Sequence, residues 1–196
     1  MPNSWDLNHL SATEYALEYL EAISEPQSAP HVSTCTWTPP SDPIVFKVNV
    51  ASIIFKEQRA MGLGIVVGNS LGDFMAASSE KLKEDGDLLL LSALSMLNTM
   101  KFQTSIGFYK VEIECNNALL VSLLNSDKSY ALETGRILKD IRELMFLFSL
   151  ISFKSVAKSC NCVAFALASF SKEKDEQIVW LEDCPPFLFP IVNLDS

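Results

Sequence analysis

The chain has 196 residues, 48% of them hydrophobic, and its 24 acids and 15 bases leave a net charge of −9. That length accommodates one α/β domain with a buried core, or one domain and an arm. The charge argues against strong non-specific phosphate binding, which needs clustered cations to release counterions. No apolar run approaches the roughly 20 residues of a membrane span, and the longest, residues 144–153 (LMFLFSLISF), is about half that length.

The charge is also uneven. Residues 1–42 contain six acids (Asp6, Glu14, Glu18, Glu21, Glu25 and Asp42) and no base, so residues 43–196 carry 15 bases against 18 acids, a net −3. The N-terminus has neither a basic segment nor an apolar core, so no secretory signal is expected and an intracellular location follows. Cys35, Cys115, Cys160, Cys162 and Cys184 are accordingly expected as reduced thiols. Cys160 and Cys162 are too close for a zinc knuckle and lack a second pair, while His9 and His31 lie far from them.

Residues 11–14 (SATE) match a capping box and predict a helix to about Ile23, with Tyr15, Tyr19 and Leu20 as a partner surface. Five prolines between Glu25 and Pro43 predict a linker. Residues 1–42 are therefore an acidic arm and residues 43–196 the main domain. Three strands are expected at about 44–55, 61–67 and 73–81, the last two joined as an antiparallel hairpin by GNSLG at 68–72. Gly62 and Gly64 sit inside a strand and precede no helix, which makes a phosphate loop improbable there.

An apolar helix is expected from about Asp87 to Gln103, a strand from Tyr109 to Cys115, and a short helix over 118–124. A longer amphipathic helix over about 132–148, a strand over 149–156 and an apolar helix over 161–170 complete the order. The sequence βββ-α-β-α-α-β-α predicts a mixed sheet flanked by helices. On the first strand Lys47 and Asn49 share one face, and Ala51 ends that polar row with a methyl group.

That order and its local text resemble the ribonuclease H fold, in particular the plant reverse-transcriptase-like ribonuclease H domains. WTPP at 37–40 with FKVN at 46–49 is similar to that group's opening, and MGLGIVV at 61–67 with Gly72 and Asp73 to its second strand and turn. LSALSML at 91–97, VEIECNNAL at 111–119, SVAKSCNCVAFALA at 155–168 and WLEDCPP at 180–186 resemble later blocks, in order. The resemblance covers about residues 36–196. It implies an α/β ribonuclease H-like fold: a mixed five-stranded sheet, strands 1–3 antiparallel, flanked by helices.

The resemblance also implies a reaction. The family hydrolyses RNA–DNA hybrids with two Mg²⁺ ions held by converging carboxylates. Carried over position by position, the carboxylate of strand one falls at Ala51, or is deleted between Val50 and Ala51. The helix carboxylate falls at Ser92, that of strand four at Asn116, the last acidic position at Phe165, and a strand-five histidine at Ser155. The expectation is a pseudoenzyme with no intact catalytic residue, no metal site and no cofactor, derived from a mobile element or a host gene. Weak binding of hybrid nucleic acid is the partner that the family implies, and a protein-interaction module, for which a protein would be the partner, is the alternative; a membrane is not expected as a partner.

Several residues have plainer explanations. Glu114 is the nearest substitute carboxylate, but Glu112 and Glu114 are expected on a solvated face opposite Val111 and Ile113. Asp85 and Asp87 suit a helix start, and Asn116 and Asn117 a strand-to-helix cap. Ser92, Ser95 and Thr99 form a stripe of small hydroxyls that permits close packing. Lys47, Lys101, Lys110, Lys154 and Lys158 are expected as ordinary solubilising lysines.

Overall fold

The computed structural model describes residues 37–126 and 132–192. The helix expected over residues 11–23 and the prolines up to Pro30 lie outside those residues. A six-stranded sheet forms the centre, one strand more than expected. Its strands are β1 (Phe46–Phe55), β2 (Ala60–Gly68), β3 (Phe74–Leu82), β4 (Lys110–Cys115), β5 (Leu150–Ser155) and β6 (Ile178–Leu181). They lie in the order β5-β4-β1-β2-β3-β6. β1, β2 and β3 are antiparallel neighbours, β1–β4 and β4–β5 are parallel, and β6 adds antiparallel to β3. The missed strand is short, IVWL, and its residues are half-buried or exposed, so it carries little of the alternation that marks a strand in sequence.

The helices are α1 (Leu88–Ser105), α2 (Ala118–Leu124), α3 (Leu132–Met145), α4 (Cys162–Phe170) and a last short α5 (Phe189–Val192). Most expected boundaries agree within two residues. Asp87 caps α1 by accepting from Leu90 N at 2.8 Å, and Asn117 caps α2 by accepting from Leu120 N at 3.0 Å. Asp85, the other expected cap, is instead on the surface, paired to Arg59 at 3.3 Å. Long α1 is buried on most of its circumference, and its hydroxyls satisfy themselves locally. Ser92 donates to Leu88 O, Ser95 to Leu91 O and Thr99 to Ser95 O, all within 2.8 Å.

The two faces of the sheet are covered differently. On one, Val48, Val50, Ile65, Val67, Ile113 and Phe153 pack with α1, α2 and α3 into the main apolar core. On the other, α4 lies over β1, β2 and β3. Gly62 and Gly64 explain how closely it approaches. A Cβ on Gly64 would stand 2.0 Å from Ala164 O and 2.4 Å from Ala168 N, and one on Gly62 would stand 2.2 Å from Ala168 O. The two glycines are the seat of a helix backbone, completed by Ser79, whose hydroxyl donates to Leu167 O at 2.7 Å.

Among the described residues Cys115 and Cys184 carry free thiols. Cys160 is disulfide-bonded, which corrects the expectation of reduced thiols throughout. No helix among the described residues is long and apolar enough to cross a membrane.

Gly64→Ala forces α4 off the sheet, because backbone atoms on both sides of the new methyl cannot yield. Denaturant unfolding should show a loss of about 1–3 kcal/mol, the usual cost of overpacking. A change below 0.5 kcal/mol would contradict the close approach.

Candidate functional site

β1 and β4 run parallel in the middle of the sheet, with Lys47 opposite Glu112 and Asn49 opposite Glu114. Their end, where the chain turns from β4 into α2, borders a crevice of about 10 Å³ between α1 and the strands. Ala51, Ser92 and Asn116 all line it. The fourth position, Phe165, is not on the crevice. It packs with Ala51 and Ala164 beneath α4, and the Lys158 ammonium lies 5.0 Å from its ring centre. Ser155 ends β5 opposite Cys115 and is exposed.

Ser92 and Asn117, both on the crevice, are already engaged with the protein. Ser92 Oγ donates to Leu88 O and accepts from Asn117 Nδ2 at 3.0 Å. Asn117 is thus committed twice, by its Oδ1 to the start of α2 and by its Nδ2 to α1. Asn116, on the rim, is exposed. The Cys115 thiol accompanies them, and burial pushes its pKa up, which disfavours the thiolate. Among the described residues no three His, Cys, Asp or Glu side chains stand together where they would hold a metal ion. The crevice has room for about one water.

The nearby carboxylates are elsewhere on the same strand, in a buried network that sequence reasoning missed. Trp37 Nε1 donates to Asn49 Oδ1 at 2.9 Å, and Asn49 Nδ2 donates to Glu114 Oε2 at 3.0 Å. Glu114 Oε1 is 2.8 Å from Lys47 Nζ, which also lies 3.2 Å from Glu112 Oε1. Lys154 pairs with the other Glu112 oxygen. Lys47, Asn49 and Glu114 are only 4%, 3% and 7% exposed. This corrects two expectations: Lys47 is not a solubilising lysine, and Glu114 does not face solvent.

The physical reason is strand pairing. Lys47 and Asn49 share one face of β1, Glu112 and Glu114 share one face of β4, and the parallel register lays those two rows side by side. Each row was legible; their adjacency depends on a pairing between segments 65 residues apart. Lys101 and Lys154 are exposed, as expected for surface cations, although Lys154 is committed to Glu112. Asn161 is a second residue without an assigned role in the sequence. Its Nδ2 donates to Val50 O at 2.8 Å and ties the start of α4 to β1 beside Ala51.

Comparison with known proteins places this geometry. The reverse transcriptase-like family model matches residues 49–171. No curated protein matches the chain in sequence. The solved ribonuclease H1 of the halophilic archaeon Halobacterium salinarum NRC-1 is similar at TM-score 0.59 and 16% identity, over 65% of this chain and 96% of that one. LC11-RNase H1, isolated from compost by a metagenomic approach and solved with an RNA/DNA hybrid, aligns at TM-score 0.59 and 14% identity, over 66% and 97%. The foamy viral protease-reverse transcriptase, also solved with an RNA/DNA hybrid, aligns at 0.52 and 20%, over 80% of this chain and 25% of that one. These structural likenesses, at such low identity, show a shared fold.

Two predictions follow from the network. Lys47→Met leaves Glu114 buried without its cation and should cost about 3–5 kcal/mol, as for a broken buried pair. Lys154→Met removes a half-exposed partner and should cost under about 1 kcal/mol. Equal losses in chemical denaturation would refute the distinction.

The second concerns acid. Burial raises the Glu112 pKa, but hydrogen bonds from Lys154 and Lys47 and their charges outweigh it, leaving the carboxyl below its ordinary value of 4.5. A depressed folded pKa contributes stability that is present above the unfolded value and lost as pH falls through the folded one. Wild type should therefore exceed Glu112→Gln in stability above about pH 5, and the gap should close as pH falls below 4.5. A gap independent of pH would sink the assignment.

With the fold, the strand order and the matched segment in agreement, the chain belongs to the reverse transcriptase-like family and has the ribonuclease H-like fold.

Proposed function

We propose that this chain is a ribonuclease H-like domain of the plant type that does not cleave phosphodiesters, and that what it retains of the family's function is weak nucleic-acid binding. One observation carries the reading: the crevice lined by Ala51, Ser92 and Asn116 offers no carboxylate. Two Mg²⁺ ions about 4 Å apart need several anionic oxygens between them. A methyl, a hydroxyl with its hydrogen bonds already made, and a neutral amide do not fit that requirement. Glu112 and Glu114 do not replace the missing ligands, because Lys47 and Lys154 neutralise them on the sheet face.

Nucleic-acid binding rests on likeness alone, since two proteins of similar fold were solved with an RNA/DNA hybrid. The cations of this chain suit it poorly: Lys47 is buried, Lys154 is paired and Lys158 lies over Phe165. Any such binding should therefore be weak and salt-sensitive. The reading extends to an intracellular, mobile-element-derived pseudoenzyme. A protein-interaction module on the same scaffold is the second reading. It is supported by Phe146, 88% exposed, with Leu147, Leu150 and Tyr109 also exposed near the start of edge strand β5.

Calorimetric titration with Mg²⁺ and Mn²⁺ should give no binding heat, and hybrid cleavage should be absent with either ion. Binding of two ions, or cleavage, would overturn the proposal. The variant Ala51→Asp, Ser92→Glu, Asn116→Asp, Phe165→Asp should bind Mn²⁺ if these positions correspond to the family's ligands. Phe165 is buried and its loss costs several kcal/mol. The double variant Ser92→Glu, Asn116→Asp keeps the core intact, and even single-ion Mn²⁺ binding by it would support the assignment.

A further inference from the structure

β6 ends the sheet, and no described strand lies on its far side. Which of its backbone groups face outward follows from the ladder. Glu182 N donates to Met75 O at 2.9 Å, and hydrogen-bonded positions alternate along an antiparallel pair. Trp180 and Ile178 therefore also turn their backbone groups to β3, while Val179 and Leu181 turn theirs outward. The Leu181 carbonyl accepts from Asp183 N at 2.7 Å, which leaves the Val179 N–H and C=O and the Leu181 N–H facing out. Folded proteins commonly guard such an edge with a lysine, a proline or a bulge, and IVWL contains none of these.

We propose that this edge receives an extended segment of another protein, apolar at its centre and carrying lysine or arginine at both ends, which adds as a further strand. The first argument is the side chains beside the open groups. Val179 and Leu181 project on one face of β6 and are 44% and 56% exposed. Alternate apolar side chains of an added strand would pack on them as cross-strand neighbours do. The second argument is charge. Exposed Glu176 precedes the strand, and exposed Glu182 and Asp183 follow it. Two lysines of this region are committed, Lys81 to Asp175 at 3.2 Å and Lys174 over the Phe170 ring at 4.9 Å. Each end of the edge therefore favours a cation. A second copy pairing antiparallel through the same edge would set Glu176 near the acids at the other copy's far end, and like charges across strands destabilise such pairing.

A third observation is that the edge is held in place. Trp180 packs edge-on against Phe170 and Phe187, with ring centres 5.8 and 6.1 Å away. Gln177 Nε2 donates to Ser78 Oγ at 2.9 Å just before the strand begins. Glu182, at φ 64°, turns the chain off the strand immediately after it. An arriving segment would thus meet a strand already formed, and the ordering cost would fall on the segment alone. The proposal goes beyond the readings above, since it depends neither on the crevice nor on the exposed residues near β5.

The test uses the full chain and a fluorescein-labelled peptide, KRVTVTVKR, with EEVTVTVEE as its counterpart. In fluorescence anisotropy the basic peptide should bind about tenfold more tightly than the acidic one, or better, and raised salt should weaken it. Val179→Pro deletes the outward N–H and keeps the bonds to β3, so binding should be lost with circular dichroism unchanged. The variant Glu176→Lys, Glu182→Lys, Asp183→Lys should invert the preference between the peptides, an outcome that misfolding cannot imitate. Absence of binding, equal affinity for both peptides, or full affinity in Val179→Pro would each overturn the proposal. So would self-association of the protein that Val179→Pro abolishes, because the edge would then belong to a second copy.

Discussion

The ion pair between Lys47 and Glu114 sits where the sheet is topologically most demanding. β1 and β4 are parallel, so their pairing requires a crossover and is closed by contacts distant in sequence. An unpaired charge at that depth is costly, whereas a pair with its remaining hydrogen bonds filled is tolerated. Here they are filled: Glu114 takes Lys47 on one oxygen and Asn49 on the other, and Asn49 passes its carbonyl to Trp37. The chain of contacts fixes the Asn49 amide in one orientation, since only the carbonyl end accepts from the indole. It also sets β1 and β4 in register, because a slip of one residue would turn Glu114 into the apolar core.

The same arrangement limits what the site can do. Carboxylates able to bind a dication must be free of competing cations and must converge. Glu112 and Glu114 are the acids nearest the crevice on β4, but both point into a lysine-bridged network on the sheet face. Ala51 belongs to the same row of β1 as Lys47 and Asn49, two residues further on, where α4 begins to cover the sheet. A methyl fits there, next to Ala164 and Phe165. The polar row ends for a packing reason, because the start of α4 covers the strand there.

Much of this was legible in sequence. Strand alternation, the caps at Asp87 and Asn117 and the order of elements gave the architecture, because each depends on neighbours within a few residues. Gly62 and Gly64 carried a signal that was visible but ambiguous: two glycines at strand spacing say that something approaches closely, without saying that it is α4. The network was illegible for a sharper reason. Lys47 and Glu114 are each ordinary surface residues by type, and only the pairing of β1 with a strand distant in sequence makes them a buried couple. β6 failed differently, since a four-residue edge strand that is partly exposed has too little pattern to distinguish it from a loop. The convergence of Ala51, Ser92 and Asn116 was likewise invisible to local pattern and was reached only through resemblance.

Active sites of this fold class gather like charges at one end of a sheet, an arrangement that opposes folding until metal neutralises it. On the proposed reading, this chain has exchanged that strain for ordinary packing. Ser92 is bonded to Leu88 and Asn117, Ala51 is sheltered under α4, and Phe165 is buried beside it. None of these residues is merely absent of function; each now supports a contact between α1 and α2, or between α4 and the sheet. Carboxylates at Ala51, Ser92 and Phe165 would therefore cost stability, whereas one at exposed Asn116 would not, which is why the crevice and the fold are tested by the same variants yet read by different measurements. Metal binding reports on the site, unfolding on what replaced it.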